Sequence, residues 1–572
     1  MRLKAIELEN FKGIGERQRI ELKPITLLFG PNSAGKSTIF QALHYVREIL
    51  ERKNVNPDTT IAGGLLDLGG FKSVVHKRDL SQPVRIKLEL QFSPFVSVDH
   101  LPINMEGTAA VGGDFSSFDI NYVAWGLGDD PVPPGALYQV ALEIELRWSN
   151  QHFAPYVSRW AVDFNDESVA TITSVPEEGR AILSEFNFEH PLLVPELQDA
   201  EDPRPSPVEA LLRELSREVA IHESRTPASP IDTRVSVKTV FGALPDLDRE
   251  LALDLRDPEV SKVEREENTP RAKALTALLS EFMLGPARVI RNYLTRMTYI
   301  GPLREVPGRN YIPQLSPDEA RWANGLAAWD LLYAARPKID ILADQPIEDL
   351  IDRVNAWLFD RERFNSGYKI ERVRYRKIAT PGPIDVILQH GVSDEDLVDV
   401  VPDLRELFDS YPVVQEIGLR DIRTNTLVGP SDVGVGLSQL VPVIVSLITS
   451  IDNLVAIEQP ELHIHPAIQV GVGDLLATAA TDQGPDVEAA RCLLIETHSE
   501  HVMLRLLRRI RETAANELPP GAPPLTPDQV AVIYVEPTED VLRLTPLRIS
   551  ADGDFIDRWP RGFFEERGEE LF

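Results

Sequence analysis

The stretch ITLLFGPNSAGKST, residues 25–38, decides the fold. PITLLFG, residues 24–30, is mostly apolar and reads as a buried strand. A loop bounded by glycines follows, and TIFQALHYVREIL continues at helical spacing. Strand, loop and helix in that order are the context in which Gly-x4-Gly-Lys-Ser/Thr cradles a phosphate chain. Gly30, Asn32, Ser33, Ala34 and Gly35 present backbone N–H groups to a triphosphate. Lys36 neutralises the terminal phosphates, Ser37 offers a hydroxyl to Mg2+, and Thr38 opens the helix, whose positive dipole end faces the same way.

Working outward, RLKAIELENF, RQRIEL and VRIKLELQF alternate as strands. Far downstream, VAIEQPELHIHP, 455–466, reads as a second buried strand that delivers Glu458 at its end, where a carboxylate can hold Mg2+. Gln459 fills the position where a water-priming second carboxylate is common in ATPases of this pattern. A neutral amide orients water but cannot take its proton, and loss of a general base costs about 10²–10⁴-fold in rate. Glu461 is the nearest replacement, although Pro460 lies between. In CLLIETHS, His498 follows a third apolar strand and can hydrogen-bond a γ-phosphate. SDVGVGLSQL, 431–440, sets small residues ahead of an apolar helix, a second potential anion site.

Composition narrows the class. A chain of 572 residues is too long for one compact core. The net charge of −30 opposes generic wrapping by nucleic acid, so any such contact must come from local basic patches. Two exist: Arg505, Arg508, Arg509 and Arg511 on one helix, and Lys369, Arg372, Arg374, Arg376 and Lys377 on one strand. The single cysteine, Cys492, excludes an intrachain disulfide framework and reads as packing. His463 and His465 lack a third ligand for a metal. No run of about 20 apolar residues exists and the N-terminus does not read as a signal peptide, so no membrane span and a cytoplasmic location are expected.

The expected organisation is 1–95 as the N-terminal part of an ATPase head and 96–295 as a partly irregular insertion. The C-terminal part of the head then spans 296–515, and a short domain 516–572. Helices are expected over VEALLRELSREVAI, RAKALTALLSEFML, QLVPVIVSLITSI and HVMLRLLRRIRETAA.

These parts resemble the ABC-type ATPase heads of the SMC and RecF group, and more closely the overcoming-lysogenisation-defect-like ATPases of the AAA family. The resemblance rests on LKAIELENFKGI before the phosphate loop, IEQPELHIHP at the metal carboxylate and THS at the switch histidine. LGGFKSVVHKRD, YIGPLREVPGRNY and the tail ADGDFIDRWPRGFF resemble the branch with a short C-terminal domain of unknown function. The likeness covers roughly 1–95, 296–335 and 425–572. It implies an α/β fold: an ABC-type P-loop head with a mixed sheet flanked by helices, plus a β-rich and helical insertion. It further implies ATP and Mg2+ as cofactors, with Ser37 and Glu458 on the metal, and a homodimer or higher even-numbered oligomer.

Lys36 and Ser37 of one subunit would then face Ser431, Gly434, Gly436 or Ser438 of the other, although the usual signature sequence is absent. Gln82 and His76 are the candidates for the residue that links the metal to that signature. Only about 50 residues follow the break near 519, too few for the nuclease domain of overcoming-lysogenisation-defect proteins, so a separate effector protein is expected. The resemblance points to slow ATP hydrolysis that controls this effector in anti-phage defence. Two alternatives are a RecF-like ATPase acting on DNA and an ATP-dependent scaffold with little hydrolysis.

Overall fold

The structure is a computed structural model. It describes residues 1–57, 68–92, 137–175, 180–187, 190, 235–254, 270–309, 311–316, 318–334, 349–378, 406, 408–450, 454–481, 491–538 and 541–560. The chain forms two compact units. Met1–Pro302, Ser450–Pro460 and Gly473–Phe572 make the first, Leu303–Thr449 and Glu461–Val472 the second.

Among the described residues, the first unit holds two sheets. One is nine-stranded, in the order β10-β9-β8-β7-β6-β5-β4-β1-β2. It begins with β1 (Arg2–Glu9), β2 (Gln18–Glu21) and β4 (Val84–Gln91). β5 (Gln139–Ser149), β6 (Ala154–Phe164), β7 (Glu167–Val175), β8 (Arg180–Phe186), β9 (Val235–Lys238) and β10 (Ala252–Asp254) continue it, each antiparallel to the last. These six strands come from the segment 96–295, so that segment extends the N-terminal sheet. The helix expected over VEALLRELSREVAI lies outside the described residues.

The other sheet is six-stranded and mixed, in the order β11-β15-β16-β3-β17-β18. β3 (Ile25–Phe29), β15 (Leu454–Glu458) and β16 (Cys492–Glu496) are buried at every position. Strands covered on both faces have no polar side to show, which is why these three read as nearly continuous apolar runs. β11 (Thr298–Ile300) lies parallel to β15, and β17 (Val530–Pro537) parallel to β3. β18 (Leu542–Leu547) closes the edge antiparallel to β17. The C-terminal stretch 516–572 thus supplies two strands of this sheet. Trp559 packs against Phe29, Tyr534 and Phe555.

The helix Pro270–Thr295 packs on β5, β7 and the helix Thr38–Arg52 that follows the phosphate loop. Phe282 meets Phe164 of the larger sheet, and Arg47 donates to the Thr295 carbonyl at 3.3 Å. The helix Pro270–Thr295 thus joins the larger sheet to the helix that follows the phosphate loop. The second unit pairs β12 (Tyr368–Arg376) with β13 (Val413–Asp421) and β14 (Thr426–Val428), all antiparallel, and adds the helices Leu326–Ala334, Leu350–Phe359 and Val435–Thr449. Among the described residues no helix is long and apolar enough to cross a membrane.

Carboxylates pair with all four arginines of the helix cluster and with Arg372 and Arg376 of the strand cluster. On the helix Glu500–Ala514, Arg509 is buried and donates to both Asp474 oxygens at 2.7 and 3.0 Å, and Arg511 pairs with Asp554 at 2.8 Å. On β12, Arg372 pairs with Asp349 at 3.3 Å and Arg376 with Asp409 at 3.0 Å. Removing one partner of a buried pair strands the other charge, which costs about 3–5 kcal/mol. Asp474→Ala should therefore cost several kcal/mol in thermal or denaturant melts. Arg508→Ala, whose side chain is 61 % exposed, should cost under about 1 kcal/mol.

Candidate functional site

The phosphate loop takes its shape from its glycines. Gly30 (φ +154°) lies where a Cβ would run into the Val535 carbonyl, and Gly35 (φ +87°) adopts a left-handed conformation beside Leu542. The loop closes with Ala34 N–H donating to the Pro31 carbonyl at 3.2 Å and Thr38 N–H to the Gly35 carbonyl at 3.0 Å. Lys36, 3 % exposed, folds back and donates to the Gly30 and Pro31 carbonyls at 3.1 and 2.9 Å. A triphosphate offers that ammonium stronger acceptors in the same place.

Ser37 sits at the N-cap of the helix Thr38–Arg52 but makes no capping hydrogen bond with its side chain. Its hydroxyl lies between two carboxylates, 3.1 Å from Glu458 Oε2 and 2.9 Å from Glu496 Oε2. One proton can serve only one of them at a time. The sheet register makes this meeting possible: Glu458 pairs with Glu496 across β15 and β16, and Glu496 with Leu28 across β16 and β3. Three parallel strands thus end at one level, where ligands bind in open α/β sheets. Tyr299, on β11, donates its hydroxyl to Glu458 Oε1 at 2.8 Å. His44 packs edge-on against the Tyr299 ring with centroids 4.8 Å apart. Burial, then Arg47, pushes His44 down to about 3, so it is a neutral packing partner.

The electrostatics favour a cation. Burial, then the charge of Glu496, pushes Glu458 up to about 7, and burial also raises Glu496. Lys36 Nζ lies 3.8 Å from Glu496 Oε1. Two carboxylates and a hydroxyl are hard oxygen donors of the kind Mg2+ takes beside a nucleotide phosphate. Ser37, Glu458 and Glu496 are therefore the residues that would hold it.

The remaining candidates sort by environment. Gln459 adopts φ +46°; its N–H donates to the Glu496 carbonyl at 2.7 Å and its side chain hydrogen-bonds the Glu496 carboxylate. Burial, then Lys36, pushes half-buried His498 down to about 4, so it is a neutral imidazole at pH 7. Gln82 is an exposed turn residue whose N–H donates to the Asp79 carbonyl at 3.2 Å. Its exposure argues against a place on a buried metal. His76 Nδ1 is bonded to the Lys12 carbonyl at 2.8 Å. Cys492 is buried and its thiol is pushed up to about 12 by burial, as expected of a packing residue.

In the second unit, Glu461 is buried and its carbonyl accepts from Ile464 N–H at 3.3 Å. His465 Nδ1 accepts from Ala467 N–H at 3.2 Å at the start of the helix Pro466–Thr481, a local cap. The signature-like segment divides in two. Ser431 and Gly434 are exposed, and nothing lies within 4 Å of a Cβ built on Gly434. Gly436 is pressed against the His463 carbonyl, and Ser438 is fully buried with its hydroxyl donating to the Pro430 carbonyl at 2.7 Å. The Ser438 hydroxyl is committed inside the fold, which corrects its candidacy for a partner's γ-phosphate.

Glu496 and Tyr299 were absent from the sequence-based candidates. Glu496 carried a signal: CLLIE repeats the apolar-run-plus-glutamate pattern of LVAIE. Tyr299 carried none, because its role depends on β11 pairing with β15.

A strand-end carboxylate pair on a phosphate loop defines a P-loop nucleotide-binding protein. Residues 1–113 match the family model "AAA ATPase domain", and residues 318–504 match "AAA domain, putative AbiEii toxin, Type IV TA system". The first stretch contains the phosphate loop and the second contains Glu458, Glu496 and His498, so the residues of the site fall within the two matched stretches. A search of curated proteins finds no match.

Among solved structures, the chain is similar to an SmcHead bound to the C-winged helix domain of ScpA (10 % identity, 96 % of this chain and 98 % of that one, TM-score 0.34). It is also similar to the Pyrococcus furiosus Smc head with an extended coiled coil bound to the C-terminal domain of ScpA (10 %, 100 % and 98 %, 0.32). A third is the SMC head domain from Thermotoga maritima (9 %, 96 % and 100 %, 0.32). At these scores the likeness supports no inference by itself.

The division of the signature-like segment has a direct check. Gly436→Ala must move the backbone at His463 and should lower stability by about 2 kcal/mol in thermal melts. Ser431→Ala should leave the melt within about 0.5 kcal/mol of the parent.

Proposed function

We propose that this protein binds ATP with Mg2+, hydrolyses it slowly, dimerises around it, and thereby controls a partner effector. The observation that carries the reading is the Ser37 hydroxyl held between the strand-end carboxylates Glu458 and Glu496. Lys36 leaves the Gly30 and Pro31 carbonyls for the β- and γ-phosphates, and the loop N–H groups hold the rest of the chain. Bound Mg2+ would neutralise phosphate charge and orient the terminal phosphate. Neutral His498 donates a hydrogen bond to the γ-phosphate. Ser431 and Gly434, exposed in the second unit, meet the γ-phosphate of a second copy.

Slow turnover follows from Gln459, whose amide cannot accept the water's proton. The toxin–antitoxin wording attached to the 318–504 match agrees with a partner-dependent role in defence. A DNA-repair reading draws less support, because the arginines of the helix Glu500–Ala514 are tied to Asp474, Glu512 and Asp554.

Purified protein should hydrolyse ATP, and Lys36→Ala should abolish nucleotide binding in calorimetry. Light scattering should show ATP-dependent dimers that Lys36→Ala cannot form. Gln459→Glu should raise kcat about 10–100-fold. If that change leaves kcat unaltered while Glu461→Gln abolishes hydrolysis, Glu461 is the base and the slow-sensor reading fails.

A further inference from the structure

Both glycines of the phosphate loop rest on one pair of strands from the far end of the sequence. β17 runs parallel to β3 as far as the pair Phe29–Tyr534, and one residue further a Cβ built on Gly30 would lie 2.2 Å from the Val535 carbonyl oxygen. β18 carries Leu542, which is buried. A Cβ built on Gly35 would lie 3.2 Å from Leu542 Cδ2, and one built on Gly13 would lie 3.2 Å from Leu542 Cβ. The Leu542 side chain therefore sits between the phosphate loop and the turn that follows β1. Its backbone is held just as firmly. The N–H donates to the Gly13 carbonyl at 2.7 Å, and the carbonyl accepts from the Gln18 amide. The oxygen of that amide accepts from Leu544 N–H at 2.8 Å, so one side chain of β2 stands in for a neighbouring strand along β18. Gly35 has no side chain with which to anchor itself, so the support of its left-handed backbone comes from outside the loop.

We propose that Leu542 is a positioning residue for the nucleotide: wedged between Gly13 and Gly35, it holds the phosphate loop in the shape that receives a triphosphate. This role rests on the ATP-binding reading above. A loop ordered before its ligand arrives loses less freedom on binding. Where only a fraction of molecules hold the competent shape, apparent affinity falls by that fraction. Truncating the wedge leaves a void under Gly35, and the loop then gains other conformations. Glu458 and Glu496 stand on β15 and β16, away from β18, so the step after binding keeps its groups in place. The effect therefore falls on affinity and KM and spares kcat. The C-terminal stretch 516–572 thereby takes part in nucleotide binding through two strands that supply no phosphate ligand themselves.

The test measures ATP affinity by calorimetry, kcat and KM from steady-state hydrolysis, and the melting temperature as the record of stability. Leu542→Ala should weaken ATP binding about tenfold and raise KM to match, with kcat within about twofold of the parent. Leu542→Met conserves volume and should restore affinity to within about twofold. Leu142→Ala is the control, since it opens a cavity of the same chemistry on β5 in the larger sheet. It should lower the melting temperature while ATP affinity stays within about twofold of the parent. A merely structural Leu542 would behave as Leu142 does, so equal effects of the two alanine variants on affinity overturn the proposal. A loss confined to kcat overturns it too, as does a methionine variant as weak as the alanine one. If Leu542→Ala does not fold, Leu542→Val takes its place, with an affinity loss of about threefold expected and parental affinity overturning the proposal. A parent protein that binds no ATP overturns the P-loop reading itself, so the two failures are distinguishable.

Discussion

The register of three parallel strands governs the site. β3 places the phosphate loop, β16 places Glu496 and β15 places Glu458, and the pairing Leu28–Glu496–Glu458 brings their ends to one level. A shift by one residue would turn either glutamate to the other face of the sheet. The register is secured by burial on both faces, since every residue of the three strands is inside. Site geometry and core packing are therefore one constraint: the apolar residues that hold the sheet together also set the spacing of the carboxylates.

Burial and chemistry oppose each other at that level. Lys36, Glu458 and Glu496 are each at most 7 % exposed, where an ionised group without a partner is costly. Local contacts offset part of this cost, with Ser37 and Tyr299 donating to the carboxylates and two loop carbonyls accepting from Lys36. The unresolved remainder is a raised proton affinity on both glutamates. A cation beside the two carboxylates would offset that remainder.

Much of this was legible in the sequence, and the limits have physical causes. The phosphate loop and Glu458 were readable because local order, strand then loop then helix, carries their chemistry. Glu496 was overlooked because the neighbouring histidine drew the reading, although its strand shows the same pattern as that of Glu458. Tyr299 was not legible, since only strand pairing brings it to Glu458 from 159 residues away. The partner of Arg509 was not legible for the same reason: Asp474, which pairs with it, is 35 residues distant. Ser438 looked available because its neighbours are small, yet a helix that begins against Pro430 turns its hydroxyl inward.

Gln459 then takes on a different meaning. Read alone, an amide in the place of a base is a deficiency. In the fold its backbone N–H and its side chain both hold Glu496, so the residue braces the neighbouring carboxylate. Under the proposed function, the residue would serve the site by bracing Glu496 and not by taking a proton. Such a site, under the same proposed function, would turn its nucleotide over slowly. Under that proposal, ATP would then serve chiefly as the bond between subunits, with hydrolysis as the timer that ends it.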